Sequence, residues 1–71
     1  MKREQVVDLY FIEARAKMID LAAFLDRVDR SPGLLDLRGD PRLLFIADAL
    51  EILRSVEPNR AELIQRRYSK P

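Results

Sequence analysis

From Arg3 to Arg30 the chain runs without a glycine or a proline, and both glycines and all four prolines lie beyond residue 30. Strands rarely exceed about ten residues, so a stretch this long with no backbone breaker is a helix if its apolar residues keep helical spacing. They do. Val7, Phe11, Ala14, Met18, Leu21, Leu25 and Val28 recur at alternating steps of four and three, which stacks side chains along one helix face. The spacing predicts one helix over about residues 3–30.

A second set, Leu9, Ile12, Ala16, Ile19 and Ala23, follows the same alternation and lies nearly opposite the first at roughly 100° per residue. Charged seams separate the two, with Asp8, Arg15 and Asp26 on one side and Glu13, Lys17, Asp20 and Arg27 on the other. One covering helix hides only one stripe. The two stripes either share a core within the chain, or the first packs on the chain's own later helices while the second meets another chain. Alanines seven residues apart, at 16 and 23, let two backbones approach closely, so Leu9, Ile12, Ala16, Ile19 and Ala23 are the candidate interface.

Ser31-Pro32-Gly33 breaks the pattern, because proline fixes φ and disfavours helix for the residue before it. Leu34, Leu35 and Leu37 are then expected to plug the open end of a core. The tripeptide Arg38-Gly39-Asp40 resembles an adhesion ligand, but it is better read as a turn glycine followed by an Asp40 N-cap, with Pro41 as the first helical residue. A second helix is expected over 41–56, with Leu43, Ile46, Leu50 and Leu53 on one stripe and Phe45, Ala49, Ile52 and Val56 on the next. Glu57-Pro58 ends it. Asn59 with Glu62 suggests a capping box for a third helix over about 60–68, whose inner face is Ala61, Ile64 and Tyr68.

These elements predict an all-α fold and one domain over residues 1–71. A long N-terminal helix carries a shorter antiparallel helix and a short third helix as a three-helix bundle, completed by dimerisation. By length, the second and third helices laid end to end match the first, so the third is expected over the half near Val7. At 71 residues with no cysteine, a single core supplies only about 3–5 kcal/mol, and no disulfide supplements it.

Composition narrows the chemistry. With neither cysteine nor histidine, the usual Ser-His and Cys-His nucleophile pairs are excluded, and two isolated glycines make no phosphate loop. Glu13, Asp20 and Lys17 lie close enough on one helix to suggest a hard-cation site, yet basic residues interleave the acids and Glu-x-x-His is missing. No enzyme, cofactor or metal is expected. The absence of cysteine fits a reducing cytoplasm, and Lys2, Arg3, Glu4 and Asp8 stand where a signal peptide needs its apolar region.

Net charge is +1, but residues 54–71 hold five basic and two acidic side chains. Arg60, Arg66, Arg67 and Lys70, with Tyr68 as a stacking ring, are candidate phosphate contacts, and the last two helices resemble a helix-turn-helix in outline. The expected function is a non-catalytic helical interaction module that forms a homo-oligomer or docks on a larger protein. The alternative is a small nucleic-acid-associated regulatory protein.

Overall fold

The computed structural model describes residues 1–33 and 39–69. The expected plug of Leu34, Leu35 and Leu37 lies outside the described residues, as do Arg38 and Lys70. Among the described residues the fold is all-helical, with α1 at Arg3–Arg30, α2 at Pro41–Arg54 and α3 at Arg60–Ser69. The chain divides into two compact units, Met1–Gly33 and Leu34–Pro71, and the division falls at the Ser31-Pro32-Gly33 break.

α1 occupies the expected 28 residues, about 42 Å at 1.5 Å per residue. At its start the Lys2 backbone N–H donates to Gln5 Oε1 at 2.8 Å, which is the reciprocal half of a capping box. At its end the Ser31 N–H donates to the carbonyls of Arg27 and Val28, and the Ser31 hydroxyl donates to Arg27 at 2.7 Å. These bonds satisfy backbone groups that a helix terminus otherwise leaves to water.

α2 opens as its sequence requires. Asp40 accepts from the Arg42 N–H at 2.8 Å, and Pro41 follows it at the first helical position. α2 closes at Arg54, two residues short of the expected Val56. The Ser55 hydroxyl turns back to the Ile52 carbonyl at 2.7 Å, and the Ser55 N–H bonds the same carbonyl, so local serine bonding ends the helix. Val56 is then left almost fully exposed.

Asn59 differs from the expected capping box. It has φ 62°, a left-handed conformation that asparagine tolerates better than most residues, and its carbonyl accepts the first bond of α3 from Leu63 at 3.1 Å. Glu62 reaches forward to Arg66 at 2.7 Å. Arg60 completes the turn by donating to the Ser55 and Glu57 carbonyls at 3.0 and 3.3 Å.

α3 returns beside α2. The rings of Phe45 and Tyr68 meet edge to face, 5.2 Å between centroids and 64° between planes, and Arg67 Nη1 lies 3.5 Å from Asp48 Oδ2. From Phe45 to the turn and from the turn to Tyr68 are each about 15 Å of helix. Joined at the turn and in contact at Phe45 and Tyr68, the two fold back on one another. The end-to-end arrangement expected from length is therefore replaced by a helical hairpin.

Candidate interaction face and basic helix

None of α1's residues is buried. Of the candidate interface, Leu9 is 66%, Ile12 72% and Ile19 48% exposed, with Ala16 and Ala23 exposed between and beyond them. The sequence places these five on one face, and the continuous helix keeps them there. On the other stripe Val7, Phe11 and Met18 are more than half exposed, whereas Leu21, Leu25 and Val28 are half-buried. Phe11, Ala14, Arg15, Met18 and Ile19 border a shallow apolar depression. Its signal in the sequence is small Ala14 set between large Phe11 and Met18.

The charged seam beside the face is self-compensated at its centre. Lys17 Nζ donates to Glu13 Oε1 at 2.8 Å, and that bond, then the ammonium charge, holds the Glu13 carboxyl below its ordinary range. Both groups are largely exposed, so the pair contributes little to stability. Among the described residues no group of three or more His, Cys, Asp or Glu side chains is placed to hold a metal ion.

Each of the described basic residues of α3 has a partner within its own unit. Arg60 is engaged by the carbonyls of the turn, Arg66 by Glu62 and Arg67 by Asp48 across the hairpin. Tyr68 lies against Phe45, with Ile64 and Gln65 lining the same cleft. The Asp48–Arg67 pairing escapes sequence reasoning, because its partners stand 19 residues apart and meet only through the hairpin.

Asp40 and Arg42 form a close local ion pair. The Arg42 side chain donates Nε to Oδ1 at 3.0 Å and Nη2 to Oδ2 at 2.7 Å. That bidentate contact, followed by the backbone N–H of Arg42, lowers the Asp40 pKa from 3.8 to about 2 and raises that of Arg42. This chemistry belongs to a helix cap, and nothing in it requires a ligand.

Among the described residues no helix is long and apolar enough to cross a membrane. Comparison with protein-family models, with curated proteins and with solved structures found no match.

Proposed function

We propose that the chain is a non-catalytic helical interaction module, cytoplasmic and free of cofactors, whose bundle is completed by another chain: a second copy or a larger protein. The observation that carries this reading is the exposure of Leu9, Ile12 and Ile19 on one face of α1. Contiguous apolar surface of this kind marks protein contacts when polar residues rim it, and here Asp8, Arg15, Glu13 and Asp20 form the rim. Arg60, Arg66 and Arg67, each engaged within its own unit, give the nucleic-acid alternative less support.

The test is the solution mass across a concentration series, together with capture of partners by the intact chain. Ile12→Glu and Ile19→Glu place a charge at the centre of the face, and together they weaken association with the partner at least tenfold while the helix content of the free chain stays constant. Association unchanged by both substitutions rejects this face.

A further inference from the structure

We infer that α1 also joins α1 of a second copy, parallel and in register, along Val7, Phe11, Ala14, Met18, Leu21, Leu25 and Val28. The inference rests on reading α1 as an interaction helix, and it adds a second face, the partner and the direction.

The spacing supplies the first argument. Steps of four and three repeat every seven residues from Val7 to Val28, and on a straight helix of 3.6 residues per turn such a seam drifts about 20° per repeat. It stays against a partner only if both helices supercoil together. The seam is 22 residues long by its end points, about 32 Å. α2 and α3 have 14 and 10 residues, about 21 and 15 Å, and they pair with each other side by side. A second α1 matches the seam along its whole length.

The surface supplies the next. Phe11, Ala14, Arg15 and Met18 border the depression on α1, and they stand at i, i+3, i+4 and i+7, the four positions that form a hole in a coiled coil. Ala14, the small layer, lies between the large layers of Phe11 and Met18, an alternation that lets neighbouring layers interdigitate.

Charge sets the direction. With Phe11, Met18 and Leu25 as one core position and Val7, Ala14, Leu21 and Val28 as the other, the flanks are Arg3, Tyr10, Lys17 and Phe24 on one side and Asp8, Arg15, Ala22 and Asp29 on the other. A parallel pair sets Arg3 against the partner's Asp8 and Tyr10 against the partner's Arg15. Lys17 faces the partner's Ala22 and Phe24 the partner's Asp29, so no like charges meet. Of the two antiparallel registers with greatest overlap, one sets Arg15 on the partner's Arg15 and Lys17 on the partner's Lys17. The other sets Asp8 on the partner's Asp29. Flanking ion pairs add little affinity when exposed, but they select orientation.

The full chain has no cysteine, so one introduced thiol reports on one position. Val7→Cys and Val28→Cys, made separately and oxidised at micromolar concentration, are each expected to yield covalent dimer at least tenfold faster than Asp20→Cys on the charged seam outside both apolar stripes. Leu21→Glu is expected to weaken self-association at least tenfold with helix content maintained. The inference is overturned if Asp20→Cys crosslinks as fast as the seam thiols, or if a dimer by mass crosslinks at neither Val7→Cys nor Val28→Cys. It is also overturned by a chain that stays monomeric at every concentration, with its seam covered by its own helices or reserved for a different protein. In that last case the module reading survives, and it fails separately if no partner senses Ile12→Glu.

Discussion

α1 and the α2–α3 hairpin are stabilised over different distances along the chain. Within Met1–Gly33 the side-chain hydrogen bonds span at most four residues: Gln5 to Lys2, Lys17 to Glu13, Ser31 to Arg27. In the second unit Arg67 reaches Asp48 and Tyr68 reaches Phe45, contacts that exist only once the chain has reversed. The first unit is a helix by its own spacing, capping and lack of breakers, and its apolar faces add stability only when something covers them. The second unit supplies part of its own cover. Apolar residues at helical spacing thus stand exposed along the first unit, while in the second they meet across the turn.

Substitution can sharpen that contrast. Phe45→Ala removes the ring against Tyr68; for a half-buried aromatic it costs the hairpin about 1–2 kcal/mol. Amide exchange should quicken throughout α3 while α1 is unchanged, and equal quickening in α1 would break the distinction between the units. Asn59→Ala places an ordinary side chain at φ 62° and costs about 1 kcal/mol, whereas Asn59→Gly is close to neutral. Thermal melts of the two variants check this.

The smallest effect is electrostatic. The Asp40 carboxyl titrates near 2 in the folded chain against an ordinary 3.8. Its contribution is therefore complete above about pH 4 and is lost as pH falls toward 2. The first turn of α2 loosens in that window, while the capping bond of α1, from the Lys2 N–H to the Gln5 amide oxygen, involves no titratable side chain. Exchange rates at Arg42 and at Gln5 across pH 4 to 2 compare the two, and Asp40→Asn abolishes the difference.

Much of this was legible without coordinates, and the reasons are local. Arg3–Arg30 matches its expected bounds because it holds no breaker and stops before Ser31-Pro32. Asp40-Pro41 announces its own cap. The end of α2 depended on which way the Ser55 hydroxyl turned, and Arg60 bonds carbonyls that only the folded turn presents. The return of α3 beside α2 is less legible, because it depends on the short Ser55–Asn59 connection and not on helix lengths. A short link favours side-by-side return. The candidate face of Leu9, Ile12, Ala16, Ile19 and Ala23 was readable as a face, because helical spacing alone defines it. Its occupant was not, since a partner leaves its mark in another chain.

The left-handed backbone at Asn59 bears on the order in which the chain folds. Pro58 has its φ fixed by its ring, and Asn59 beside it enters the reversed conformation at low cost, so the chain is already biased to double back before any side chain has packed. Closing the α2–α3 loop then needs only a search of tens of residues, on a timescale of about microseconds, and its rate is independent of protein concentration. The proposed pairing of α1 with a second copy is second order and waits for an encounter. Diluting the chain should therefore slow one half of its maturation and leave the other untouched, with the hairpin formed first.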